Sequence, residues 1–262
     1  MQPSHDIDWW HLATFSLLLV IPFAINRFYR LELGKDMGLS IARMFVQLTL
    51  VGAYLEFVFS TNNLWLNLAW IAVMLGVGAS AIVGKAKLPR KVLFMPVVSG
   101  LVIGLAPILF ILCWLVVQPT PIYSAQYVIP LAGMLLGNSL SGNIVSLQNL
   151  YTAFDERNEE YQVAIALGAP PLFATLPFVR AAMQKAFAPI LASMATTGLV
   201  TLPGMMTGQI LGGASPMVAI KYQMMILIAI FVMMSISVTL TLQFSLRRSI
   251  NESGRVVVGL MK

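Results

Sequence analysis

The sequence predicts an all-α fold: a polytopic membrane bundle of about seven transmembrane helices, N-terminus outside and C-terminus cytoplasmic. Three observations carry this expectation. Of 262 residues, 58% are hydrophobic and only 10% charged, with a mean hydropathy of +0.84, whereas soluble domains carry about 25% charged residues. Apolar runs that approach or exceed the ~20 residues needed to cross a bilayer recur along the chain. Lys and Arg gather in alternate connections between those runs.

The N-terminal residues Met1 to Asp8 hold acids and no positive n-region, so a cleaved signal peptide is not expected. Trp9 and Trp10 stand where an interfacial aromatic belt would, and the first span runs from them to Ile25. Span two covers about Leu39 to Phe59, span three Leu64 to Val83, and span four Val92 to Val117, with Thr61-Asn62-Asn63 as a tight turn between two and three. Span five fits Ile122 to Leu150, span six Ala186 to Leu202, and span seven Met217 to Phe244. With the N-terminus outside, the inner segments collect Arg27, Arg30, Lys35, Arg43, Lys85, Lys87, Arg90, Lys91, Arg157, Arg180, Lys185, Arg247, Arg248, Arg255 and Lys262. Lys221 alone falls on the other side, and a missed or added crossing would destroy that asymmetry. The net charge of +6 is therefore read as cytoplasmic-side bias, with no nucleic-acid partner implied.

The chain reads as one transmembrane domain, 1–262, with a cytoplasmic coupling segment at 151–185. That segment is the one long stretch unlike a membrane span, carrying Asp155, Glu156, Arg157, Glu159 and Glu160 before a run rich in small residues and proline. A charged helix between two spans suits a piece that leaves the lipid and touches a soluble partner.

Enzymatic chemistry finds little footing. Both histidines, His5 and His11, lie near the outer end of span one, so no His-Glu-x-x-His zinc motif exists, and no Gly-x-Ser-x-Gly nucleophile turn appears. Gly84-Lys85 mimics a phosphate loop, but Ala79 replaces its first glycine and Ala86 its Ser or Thr. Any ATP and magnesium must then sit on another subunit, and no cofactor is expected on this chain. The single cysteine, Cys113, excludes an intramolecular disulfide and reads as a small packing residue.

Charged and polar residues inside spans are the candidates for a translocation path. Glu56 and Lys221 each lie near the outer end of their spans, where they could pair, face a shared vestibule or snorkel to the interface. Arg43 and Gln47 read as an interface anchor and a helix contact. Span five carries a polar stripe of Asn138, Ser141, Gly142 and Asn149, flanked by Ser139, Asn143 and Ser146. It either hydrogen-bonds to neighbouring helices or lines the route of a polar solute. Small-residue pairs at Gly100/Gly104 and Gly133/Gly137 suit ordinary close packing. The series Gly204, Gly208, Gly212 differs, because it follows a helix broken at Thr196 to Gly204 and is a plausible gate. Met205 and Met206 offer soft thioethers there, so Glu56, Met205 and Met206 are the candidate metal contacts.

ABC importer permeases carry a loop motif Glu-Ala-Ala, three residues, Gly, whose helix docks in a cleft of the ATPase. Gln162-Val163-Ala164 followed by Gly168 has that spacing, and Leu167-Gly168-Ala169 reads as a helix stop. The candidate coupling residues are thus Glu159, Glu160, Gln162, Ala164, Gly168 and Ala169. Ile129 to Met134, Asn143 to Leu150, Leu167-Gly168-Ala169, Gly198 to Met206 and Ala219 to Gln223 together resemble the bacterial FetB family of ABC permeases, whose plant relatives include aluminium-tolerance half-transporters. The resemblance implies a multi-pass permease of the bacterial inner membrane, two copies pairing with a separate FetA-type ATPase and exporting iron. Rocking of one bundle against the other, with Pro189 and Pro203 as flex points, would then give alternating access. An ion-coupled secondary transporter of a metal or small polar solute, using Glu56 and Lys221, is the alternative; a membrane-embedded enzyme and a purely structural partner are the other classes.

Overall fold

The computed structural model describes residues 7–251 and 254–259; His5 and Lys262 lie outside the described residues. Ten helices follow one another among them: α1 (Trp9–Tyr29), α2 (Gly34–Thr61), α3 (Leu64–Lys85), α4 (Arg90–Val117), α5 (Ala125–Glu156), α6 (Asn158–Ala166), α7 (Pro171–Ala174), α8 (Leu176–Thr196), α9 (Gly204–Leu211) and α10 (Pro216–Ser249). No strand occurs among the described residues, only two isolated bridges. Six helices, α1 to α5 and α10, are long and apolar enough to cross a membrane.

Short connections make successive spans antiparallel. Asn62, at φ +41°, stops α2, and its side-chain oxygen accepts from Ala125 N at 2.9 Å, while Asn63 caps α3 by accepting from Trp65 N and Leu66 N. Asn tolerates the left-handed region and satisfies orphan helix donors, so this pair makes a two-residue turn. One end of the bundle thereby collects the α2/α3 turn and the starts of α5 and α10. The opposite end gathers α6, α7 and the bases from Lys85 to Lys91, Arg157, Arg247 and Arg248, and is called the basic end below.

α5 is the central helix, packed by α3, α4, α8 and α10, and the core runs along it from Val128 to Phe154. The tightest contact is between α4 and α10. A Cβ on Gly100 would stand 2.3 Å from Thr241 Oγ1 and 3.0 Å from the Ser237 carbonyl, and one on Gly104 3.1 Å from Ser237 Cβ. Gly100/Gly104 is thus a close-approach seam, as expected. Gly133 and Gly137 instead border a shallow cavity with Gly78 and Leu140, and nothing lies within 4 Å of a Cβ at Gly137.

The expected spans two, five and seven shift by up to six residues at their ends, and the sixth differs most. A helix starts at Leu176, ten residues before Ala186, because Pro177 occupies the first turn, where its missing N–H costs nothing. It stops at Thr196 instead of Leu202, since Gly198 at φ +90° and a turn closed by Gly198 N donating to Thr201 O (2.9 Å) end it. At 1.5 Å per residue α8 is about 31 Å long against about 48 Å for α5, and the short helix α9 that follows packs on α10. With Arg180, Gln184 and Lys185 in its first half, α8 is less apolar than the other long helices.

Candidate functional site

The polar stripe of α5 divides between two faces. Ser139, Gly142, Asn143 and Ser146 are buried against α10, whose Ser237, Thr241, Ser245 and Ser249 recur every fourth residue and are also buried. Asn143 Nδ2 bridges the two helices, donating to Ser139 O at 2.9 Å and to Ser237 Oγ at 3.0 Å. At the basic end of this seam Tyr151 OH meets Ser249 Oγ. Asn143 Oδ1 and the hydroxyl oxygens of Ser139, Thr241 and Ser245 have no hydrogen-bond partner among the described residues, so the seam holds more polar capacity than this arrangement satisfies.

Asn138 and Ser141 turn the other way. They line a cavity of about 200 Å³ with Gly142 and Val145 of α5, Ala186, Pro189, Ile190 and Ser193 of α8, and Met234 of α10. Their hydrogen bonds stay within α5: Asn138 Nδ2 donates to Met134 O at 2.8 Å and Ser141 Oγ to Asn138 O at 3.1 Å. The amide and hydroxyl oxygens keep lone pairs for an occupant. The stripe thus divides between a face packed on α10 and a face that lines a cavity, with Gly142 at the border of the two.

The other candidate path residues do not line this cavity. Met205 and Met206 begin α9, half-buried and buried respectively, with Thr207 Oγ1 bonded to Pro203 O. Glu56 and Lys221 are exposed on α2 and α10, and neither forms an ion pair among the described residues. No group of three or more His, Cys, Asp and Glu converges among the described residues.

The second feature is α6 at the basic end. Asp155 and Glu156 complete α5, a one-residue break at Arg157 follows, and α6 spans Asn158–Ala166. Gly168 at φ +88° ends it in a Schellman motif, with Ala169 N donating to Ala164 O (3.0 Å) and Gly168 N to Ile165 O (2.9 Å). Tyr161 anchors α6: its buried ring touches Phe154 and Phe178, and its hydroxyl donates to Gly254 O at 2.7 Å. The chain after α10 turns back through a bridge between Ile250 and Val256, placing Gly254 beside Ile165 and Pro171. Burial pushes the Tyr161 phenol up.

The coupling candidates separate on this helix. Glu159, Gln162 and Gly168 face solvent, whereas Ala164 and Ala169 lean onto the core. Glu160 is exposed but engaged. Arg157 Nε donates to it at 2.8 Å, which holds its carboxyl below the usual range and raises the guanidinium, whose carbon also sits 5.1 Å over the Phe178 ring. Sequence reasoning missed the apolar part of this surface. Val163, Leu167 and Phe173 are 58%, 83% and 65% exposed, and they stand beside the charged residues. Large apolar side chains outside a span and next to acids were the available signal.

Comparison with known proteins adds the lineage. Residues 9–250 match the uncharacterised protein family UPF0014. The chain is 30% identical to a protein named probable iron export permease protein FetB of Escherichia coli (strain K12), covering 99% of this chain and 98% of the relative. It is 36% identical to the protein ALUMINUM SENSITIVE 3 of Arabidopsis thaliana over 82% of this chain and 76% of the relative. The UPF0014 membrane protein YjkA of Bacillus subtilis (strain 168) is 33% identical over 84% and 86%. No solved structure matches. An all-helical bundle with six helices of membrane-crossing length and apolarity, matched to one family from Trp9 to Ile250, makes this chain a membrane protein of the UPF0014 family.

Proposed function

We propose that the chain is the permease subunit of an ABC transporter of the bacterial inner membrane, exporting iron as a homodimer driven by a separate ATPase. The observation that carries this reading is α6. A helix of nine residues, closed by a left-handed glycine, stands at the basic end and offers Glu159, Gln162, Val163 and Leu167 to solvent. Its buried side is fixed by Tyr161, Phe154 and Phe178 to α5 and α8. Force applied to such a helix reaches the two helices that flank the polar cavity, which is what coupling requires. Phosphate chemistry stays on the ATPase, which holds ATP and magnesium, and the basic end is cytoplasmic in this reading.

The cavity between α5 and α8 is the substrate route. Asn138, Ser141 and Ser193 supply neutral oxygens to a hydrated cation, and Met205 and Met206 supply thioethers nearer the opposite end, where the break between α8 and α9 permits movement. The iron substrate rests on the name of the Escherichia coli relative.

Liposomes holding this chain and its candidate ATPase, titrated with ferrous iron beside zinc, copper and manganese, test the reading through ATP hydrolysis. Stimulation selective for iron is expected. Stimulation without metal preference removes iron and keeps the ABC assignment; no association with the ATPase removes both and leaves the ion-coupled alternative.

A further inference from the structure

Between Arg43 and Lys85 the chain carries one charge, Glu56, and between Lys185 and Arg247 one more, Lys221. They have opposite sign and equal depth. Glu56 lies six residues before the C-cap Asn62 of α2, and Lys221 six residues after the N-cap Ser215 of α10. At 1.5 Å per residue both sit about 9 Å inside the end opposite the basic one.

Each belongs to an exposed stripe. α2 packs on α3 and α5 through Tyr54, Leu55, Val58 and Phe59, and at 100° per residue Glu56 points roughly 130° away from that side. Gly52 shares its direction and is exposed, with open space above it, whereas Phe45 and Thr49 farther along border a cavity shared with α1 of the same chain. On α10, Met217, Lys221, Met224 and Ile228 recur at helical spacing and are likewise exposed. From their charges toward the basic end, α2 runs backward in sequence and α10 forward. An antiparallel contact therefore sets Glu56 against Lys221 and Gly52 against Met224, matching a glycine notch to a long flexible side chain.

We propose that α2 of one copy lies along the outer half of α10 of a second copy, pairing Glu56 with Lys221 of that copy, and that the reverse contact closes a two-fold dimer. Charge complementarity selects the second copy over lipid, because hydrocarbon leaves both charges unpaired at membrane depth. A contact of one helix with a different helix becomes self-complementary under two-fold symmetry, so both charges of both copies are satisfied at once. The proposal rests on the two-copy assembly of the permease reading and adds which surfaces meet.

The test is cross-linking in native membranes on a Cys113→Ala background. Copies with different tags carry Glu56→Cys in one and Lys221→Cys in the other, and oxidation should yield a cross-linked dimer only when both are co-expressed. A chain carrying both changes should cross-link between chains; closure within one monomer overturns the proposal. In parallel, Glu56→Lys and Lys221→Glu should each weaken dimerisation at least tenfold, and the double exchange should restore it. Singles indistinguishable from the parent chain mean that both residues snorkel, which overturns the pairing. A parent dimer that binds ATPase but never cross-links at these positions refutes this interface alone, whereas a monomeric parent refutes the two-copy reading with it.

Discussion

At Gly100 the space for a methyl group is taken by Thr241 Oγ1 at 2.3 Å and by the Ser237 carbonyl, which is backbone and cannot rotate aside. Gly100→Ala should therefore lower stability by about 1–3 kcal/mol, the range for overpacking a filled core. Gly208, inside α9, meets nothing within 4 Å, so Gly208→Ala should be neutral or stabilising, by up to about 1 kcal/mol, through helix propensity. Thermal unfolding of the two purified variants checks this contrast, and equal shifts would contradict the assigned seam. Sequence spacing alone treats these glycines alike, since both belong to pairs four residues apart.

The element that decides the functional reading is α6, with two surfaces of different duty. Its inner side, Tyr161 with Ala164 and Ile165, locks onto the bundle, and its outer side with Gly168 remains free. Gly168→Trp should keep the bundle assembled, because a side chain there enters open space, and should weaken ATPase co-purification by an order of magnitude or more. Backbone strain must be separated from bulk, since any L-residue at φ +88° costs roughly 1–2 kcal/mol. Gly168→Ala carries that strain without the bulk and should retain most of the ATPase. Undiminished capture by the Trp variant would remove α6 as the docking element.

Across the whole molecule, α5 is the shared wall between a hydrogen-bonded seam and an open cavity. Ser141→Leu would put a branched apolar side chain into the cavity without touching the Asn143 to Ser237 bridge. Transport should fall more than tenfold while the unfolding midpoint moves little. Asn143→Leu should do the reverse first, lowering stability by about 1–3 kcal/mol, because the bridge between α5 and α10 is lost and Ser237 Oγ keeps only its own bond to Met234 O. Vesicle flux and thermal unfolding measured on the same preparations separate the two faces.

The six long apolar helices were legible because bilayer crossing demands local runs of apolar residues, and local runs are visible in one dimension. The stops at Asn62 and Gly168 were legible for a similar reason, as few residues accept a left-handed backbone. The start of α8 was not, because its Arg180 and Lys185 hide a helix from an apolarity count. Whether Ser141 or Asn143 faces the cavity, and that Tyr161 reaches Gly254 across 93 positions, depended on which helices become neighbours. The sequence by itself determined the membrane class, the long apolar helices and some of their stops. Only the tertiary structure decided which face of each helix is packed, since helix packing is set by side-chain fit between segments far apart in the chain.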